Sequence, residues 1–66
     1  MNITLNGQNF DATGCTSIRE LLVKISLGDR PVVVETNKRA LLPREHATTA
    51  LAAGDVVEVV QITAGG

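Results

Sequence analysis

The dipeptide Asn6-Gly7 is the sequence feature that most restricts the folds open to this chain. On either side of it, apolar and polar residues alternate over a short run. Asparagine and glycine both tolerate the positive φ that a tight two-residue turn needs, so this setting is a strong signal of a β-hairpin. We therefore predict an opening hairpin with strands near residues 2–6 and 8–13, in which Phe10 points into the core.

A helix is predicted to follow the hairpin. Ser17 and Glu20 have the spacing of a capping box, in which the glutamate side chain reaches back to the backbone of the cap residue. The same glutamate is spaced for an i, i+4 ion pair with Lys24. Gly28 is a plausible C-terminal cap, which predicts a helix over residues 18–27. Its apolar stripe consists of Ile18, Leu21, Leu22, Ile25 and Leu27.

Three further strands are predicted in the second half of the chain. The valine-rich segment 31–36 is typical of a strand covered on both faces, as in parallel pairing. Asn37-Lys38 reads as a turn, and 40–42 as a short strand that the following proline ends. Gly54-Asp55 then turns the chain into a β-branched final strand.

The order of these elements favours one fold class. A hairpin followed by one helix and more strands is incompatible with an alternating doubly wound sheet. The compact solution is an α+β fold, with a mixed four- to five-stranded sheet and one main helix across one face. The first and last strands then lie side by side at the sheet centre, which is the β-grasp (ubiquitin-like) arrangement. We expect a β-grasp domain over residues 1–62 and a flexible tail over 63–66.

Residue parity in the last strand predicts which of its side chains are exposed. Glu58 is not expected under the helix, because an unpaired buried carboxylate is costly. Val57 and Val59 should therefore face the core, while Val60 and Ile62 face outward. Two exposed β-branched residues next to the tail predict a docking patch. The alternative is that they are isolated surface residues without a role, which are common.

Composition excludes several classes of function. A chain of 66 residues is a single domain with little room for a deep substrate cleft. A net charge of −1 and a single aromatic residue argue against nucleic-acid or membrane partners. We find no apolar run long enough for a membrane span and no secretory signal pattern. One cysteine permits no internal disulfide and fits the reducing cytoplasm. A monomer is the expected state of the protein alone.

Residues with catalytic or metal-binding chemistry are scarce. Cys15 has no histidine beside it in the sequence, so we do not expect it to be a nucleophile. His46 has no neighbours at metal-ligand spacing and is expected to be a solvated loop residue. The basic residues Lys38, Arg39 and Arg44 suit either an acidic partner surface or a solvated turn. The sequence therefore predicts no catalytic residue and no metal site.

The final segment offers the one unusual chemical group, the α-carboxylate of Gly66. Such a carboxylate is ionised at neutral pH. Gly65 and Gly66 lack a Cβ and can thread a narrow channel. Residues 63–66, when extended, reach about 13 to 14 Å. The alternative is a frayed terminus with no function, which is common at chain ends.

Five segments of the chain form a recognisable set: Ser17–Leu22 at the helix start, Asn37 in a turn, Leu42–Glu45, Gly54-Asp55 and Gln61–Gly66. These segments resemble the ThiS-type family of ubiquitin-like sulfur carrier proteins. Together they span nearly the whole chain. The sibling small subunit of molybdopterin synthase usually has prolines and aromatics before its glycines, so the tail here favours the thiamine branch. The family often carries an aromatic residue near position 47, where this chain has alanine.

The resemblance implies a function in which the chain is a substrate and not a catalyst. A ThiF-like partner would adenylate the Gly66 carboxylate with ATP and convert it to a thiocarboxylate. A ThiG-like thiazole synthase would accept the sulfur for the thiazole ring of thiamine, and the carrier would bind no cofactor. The alternatives are a molybdopterin-type carrier, a β-grasp interaction module and a protein modifier. The residues expected to meet the partners are Gly65, Ala64, Thr63, Ile62, Val60 and Glu58.

Overall fold

The fold is that of a computed structural model, which describes residues 1–63. Its strands and helices are β1 (Asn2–Leu5), β2 (Gln8–Asp11), α1 (Ile18–Lys24), β3 (Val32–Thr36), β4 (Arg39–Leu41), a 3₁₀ turn (Pro43–Glu45) and β5 (Val56–Gln61). The strand order is β2-β1-β5-β3-β4. β1 and β5 are parallel and the other pairs are antiparallel. The predicted mixed sheet and β-grasp α+β fold are confirmed.

Both hairpins have two-residue turns with positive φ; the sequence predicted the first as a hairpin turn and the second only as a turn. Asn6 and Gly7 have φ of 50° and 81°, and they join β1 to β2. Asn37 and Lys38 have φ of 50° and 70°, and they join β3 to β4. Turns of this type match the right-handed twist of the strands that they connect. The two turns therefore set the register of both edges of the sheet.

The start of α1 differs in one detail from the predicted capping box. The Ser17 hydroxyl accepts a hydrogen bond from the Glu20 N–H at 3.2 Å, so the predicted N-cap is confirmed. The Glu20 carboxylate, however, accepts from the N–H and hydroxyl of Thr16 at 2.6 and 2.7 Å, one residue earlier than expected. Lys24 donates to the Thr13 carbonyl at 3.3 Å, so the predicted Glu20–Lys24 pair does not form.

The end of α1 also differs from the prediction. The helix stops at Lys24, and Ser26, with φ of 66°, takes the left-handed position that we assigned to Gly28. The Leu27 N–H donates to the Leu22 carbonyl at 2.8 Å and the Ser26 N–H donates to the Val23 carbonyl at 3.0 Å, and these two bonds form a Schellman motif. Short polar side chains tolerate this conformation better than large ones do. The predicted glycine cap is therefore wrong.

The core lies between α1 and one face of the sheet, and the other face is open. Val34 of β3 is fully buried, whereas Val33 is 49% exposed. β3 pairs antiparallel with both of its neighbours. The prediction that this strand is covered on both faces is therefore wrong. Phe10 packs against the core but is only partly buried, because β2 is an edge strand. The largest fully buried side chains are Ile3, Ile18, Leu21, Val34 and Val57.

The segment between β4 and β5 crosses back over one end of the sheet. The 3₁₀ turn begins where the Glu45 carboxylate accepts from the Leu42 N–H at 2.7 Å. Leu51 is buried, as predicted. Across residues 1–63, no helix has the length and apolar character needed to cross a membrane.

Candidate functional site

β5 is the central strand, and the segment that we single out for chemistry follows it directly. β5 is flanked by β1 on one side and β3 on the other. The ladder with β3 continues beyond the strand, because the Ile62 N–H donates to the Pro31 carbonyl at 2.9 Å. The backbone is thus held by the sheet up to Ile62. Thr63 is exposed, whereas Ala64, Gly65 and Gly66 lie outside the described residues.

The alternation along β5 is as the sequence predicts. Val57 and Val59 face α1, with exposures of 0% and 7%. Glu58 and Val60 point to the open face, where Val60 is 61% exposed. A strand that pairs on both sides and is covered on one face has only this way to bury its valines and hydrate its glutamate.

The register adds two residues from β3 to this exposed surface. Val33 lies opposite Val60, and Glu35 lies opposite Glu58. We call these four residues the outer patch. The sequence analysis missed Val33 and Glu35, because it placed β3 inside the sheet with both faces covered. The valine run does not show which face is open, and the antiparallel pairing with β5 decides it.

The outer patch combines two apolar side chains with two like charges. Opposed residues of an antiparallel pair have Cβ atoms about 4.5 to 5.5 Å apart, so like charges at such positions repel. Within residues 1–63 the ion pair that forms joins Arg39 to Glu45 at 3.8 Å, so neither Glu35 nor Glu58 is neutralised by a cation of the described chain. The surface is therefore apolar and acidic.

Ile62 lines a cleft in addition to being exposed as predicted. It is 49% exposed, as expected, but it lines a cleft at the end of the sheet. The cleft has a volume of about 310 Å³ and lies between α1, the start of β3 and the 3₁₀ turn. The docking patch predicted from Val60 and Ile62 stays a prediction.

His46 is buried, which contradicts the prediction of a solvated loop histidine. Its exposure is 8%, and it lines the same cleft. Its carbonyl accepts from the Arg19 N–H at 2.8 Å, which holds the loop against the first turn of α1. Its Nε2 is buried and has no hydrogen-bond partner in the described part of the chain.

Cys15 and the metal-ligating side chains are the other residues of the sequence with reactive chemistry. Cys15 is a free thiol and is buried. No group of three or more metal-ligating side chains occurs within 1–63. The α-carboxylate of Gly66 stays the predicted chemical group, and it lies outside the described residues.

Two polar residues set where β5 begins. The Val56 N–H donates to Asn37 Oδ1 at 2.9 Å, and Asn37 Nδ2 donates to Asp55 Oδ1 at 3.0 Å. The other carboxylate oxygen, Asp55 Oδ2, accepts from the Ala52 N–H at 2.8 Å. The turn between β3 and β4 is thereby tied to the start of β5. The sequence analysis predicted both segments as turns, and these hydrogen bonds join the two turns to each other.

Comparison with known proteins agrees with this architecture. The crystal structure of the thiamine biosynthesis protein ThiS from Geobacter metallireducens is similar over 100% of both chains, with 30% identity and a TM-score of 0.83. The solution structure of a thiamine biosynthesis protein from the same organism is 30% identical, covers 100% of this chain and 88% of its own, and has a TM-score of 0.81. A comparison with curated proteins found no significant match. The model of the ThiS family matches residues 3–66, and the chain belongs to that family.

Proposed function

We propose that this protein is a sulfur carrier of thiamine biosynthesis, and that its Gly66 carboxylate is first adenylated and then converted to a thiocarboxylate. The observation that carries the proposal is that the central strand leads directly into residues 63–66, which the family match includes. A rigid strand held up to Ile62 supplies a fixed base from which a short segment can enter a partner's active site. The two similar structures described above are both of thiamine biosynthesis proteins.

The proposed chemistry needs no catalytic group on the carrier. A free carboxylate is a poor acyl donor, so the partner first joins it to AMP from ATP and releases pyrophosphate. A sulfur nucleophile on the partner's side then attacks the acyl carbon, and AMP leaves. Where that nucleophile is a persulfide, the product is an acyl disulfide, and a second thiol attacks the donor sulfur to form a disulfide with it and release the thiocarboxylate. A thiazole synthase then accepts the thiocarboxylate as its sulfur source. The carrier contributes positioning, which can lower a barrier substantially when the reacting groups are well oriented.

The outer patch supplies the docking surface in this proposal. Val33 and Val60 provide exposed apolar contact area on the strands that lead to the tail. Glu35 and Glu58 favour a partner surface that carries arginine or lysine. An acidic partner surface would be strongly disfavoured, because like charges at an interface repel each other. The same patch could serve the adenylating enzyme and the thiazole synthase in turn.

The test is to incubate the purified protein with its adenylating enzyme, ATP and a sulfur donor, and to weigh the C-terminal peptide. We expect a species heavier by the difference between sulfur and oxygen. The control is a variant with one alanine appended after Gly66, which should stay unmodified and folded. A modified control, or a wild-type protein that remains unchanged, would contradict the proposal. Adducts through lysine side chains would instead indicate a protein modifier.

A further inference from the structure

The cleft beside Ile62 carries two positive charges that the proposed function does not use. Arg19 comes from the first turn of α1 and Arg30 from the loop before β3, and both line the cleft. Its walls are otherwise mainly apolar and include Leu22 and Val32. The cleft volume of about 310 Å³ is enough to hold two adjacent side chains of a partner protein.

The charge of the cleft is opposite in sign to that of the chain. The protein has a net charge of −1, yet no aspartate or glutamate lines the cleft among the described residues. The ion pair within 1–63 involves Arg39, so neither Arg19 nor Arg30 is matched by a carboxylate there. The basic cleft and the acidic outer patch give the end of the molecule near residue 62 two surfaces of different charge.

The position of the cleft determines what will contact it. Ile62 lines it, and the proposed reactive segment begins at the next residue. Four residues reach about 13 to 14 Å at most. A protein that encloses residues 63–66 in its active site must therefore come close to the mouth of this cleft.

We propose that the cleft receives an aspartate or glutamate side chain, with an apolar neighbour, from the protein into which residues 63–66 insert. This inference rests on the proposed function and deepens it by stating a partner's chemistry. Arginine binds carboxylates through paired, charge-assisted hydrogen bonds, and the apolar walls suit the residue beside the acid. A free inorganic anion would use the arginines and leave those walls without a contact.

The experiment compares charge reversals inside and outside the cleft. Arg19→Glu and Arg30→Glu are measured against the purified adenylating enzyme, with Lys38→Glu as the control. Lys38 is exposed in the β3–β4 turn and changes the net charge by the same amount. We expect each cleft variant to bind about tenfold more weakly at low salt, with the difference shrinking as salt rises. The control should stay within about twofold of wild type.

Several outcomes would overturn this inference, and they differ from those that overturn the proposed function. If both cleft variants bind the enzyme normally and sulfur is still transferred to the wild type, the docking inference is refuted and the proposed function stands. Weak binding by the cleft variants, with no sulfur on the wild type, supports the docking site and removes the carrier function. Titration with inorganic phosphate is the second arm. Loss of phosphate binding in the cleft variants with unchanged enzyme affinity would make the cleft a small-anion site. Circular dichroism checks that every variant is folded.

Discussion

The side-chain amide of Asn6 bonds both backbone polar groups of Val59. The Val59 N–H donates to Asn6 Oδ1 at 2.8 Å, and Asn6 Nδ2 donates to the Val59 carbonyl at 3.2 Å. Backbone pairing between β1 and β5 ends just before this point, where the Asn6 N–H donates to the Val57 carbonyl at 2.9 Å. The Asn6 side chain thus makes the two hydrogen bonds to β5 that the backbone of β1 would make if that strand continued. A turn residue thereby secures the strand that leads to the proposed reactive segment.

Replacing Asn6 tests this connection. Asn6→Gly keeps the positive φ but removes both hydrogen bonds, so we expect a loss of about 1 to 3 kcal/mol in the free energy of unfolding. Asn6→Asp, which keeps an acceptor, should lose less at neutral pH. Urea unfolding gives the stability, and amide hydrogen exchange at Val59 reports the local effect. Unchanged exchange at Val59 in the glycine variant would show that the side chain does not hold β5.

Local signals predicted much of the fold, because they depend on few residues at short range. The Asn6-Gly7 turn and the Ser17 cap needed only the backbone preferences of those residues. The orientation of β5 followed from the cost of burying Glu58. The outward position of Val60 came from the same argument. What could be predicted of the candidate site was therefore the strand itself and the face that it exposes.

The errors arose where a distant segment decides the outcome. His46 is buried because α1 packs against its loop, and nothing near position 46 in the sequence shows this. Val33 is exposed because β3 pairs antiparallel with β5, whereas a valine run alone fits either arrangement. Arg19 and Arg30 meet at one cleft only after the chain has folded. Local sequence patterns do not contain the strand register or the packing of segments that are distant in the sequence, so these features could not be predicted from them.

Gly28 is needed for packing and not for its backbone freedom. A Cβ at this position would lie 2.8 Å from Val23 Cγ2. We expect Gly28→Ala to destabilise the protein by about 1 kcal/mol, because Val23 must move to relieve the contact. In a double-mutant cycle, Val23→Ala should remove most of that cost. Additive effects in the cycle would place the strain elsewhere.

His46 is predicted to cost stability through its unpaired Nε2. Leaving a buried polar atom without a hydrogen bond costs about 1 to 3 kcal/mol. His46→Leu keeps most of the volume and removes the polar atom, so we expect an increase of about 1 kcal/mol in unfolding free energy. His46→Ala leaves a cavity and should cost about 2 kcal/mol instead. A leucine variant less stable than wild type in urea unfolding would show that the imidazole makes net favourable contacts.

The Thr16–Glu20 contact predicts a dependence of stability on pH. Hydrogen bonds from the Thr16 hydroxyl and then from its N–H lower the pKa of Glu20 below its ordinary value of 4.5. Because the pKa of Glu20 is lower in the folded state, its contribution to the free energy of unfolding is complete above the pKa of the unfolded state. That contribution is lost as the pH falls through the pKa of the folded state. Thr16→Val should raise the Glu20 pKa and flatten the stability profile in that acidic range. Carboxyl NMR titration measures the pKa directly, and an unchanged value would contradict the assignment.

The opposed carboxylates of the outer patch should lower stability while serving binding. Glu35 and Glu58 face each other across β3 and β5, and like charges in that position destabilise a sheet. Replacing either by glutamine should raise the unfolding free energy by about 0.2 to 1 kcal/mol at low salt. The double variant should gain little more than one single variant, because either change removes the repulsion.

The same two variants should bind the adenylating enzyme more weakly. A cation on the partner would lose one of its two carboxylates, so we expect a several-fold rise in Kd that diminishes with salt. Asp11→Asn removes one negative charge on the edge strand β2, two strands away from β5, and is the matched control. A protein that is both more stable and less able to dock indicates that the charge pair is retained for a partner. Unchanged affinity in both glutamine variants would remove the acidic residues from the docking surface and leave only its valines.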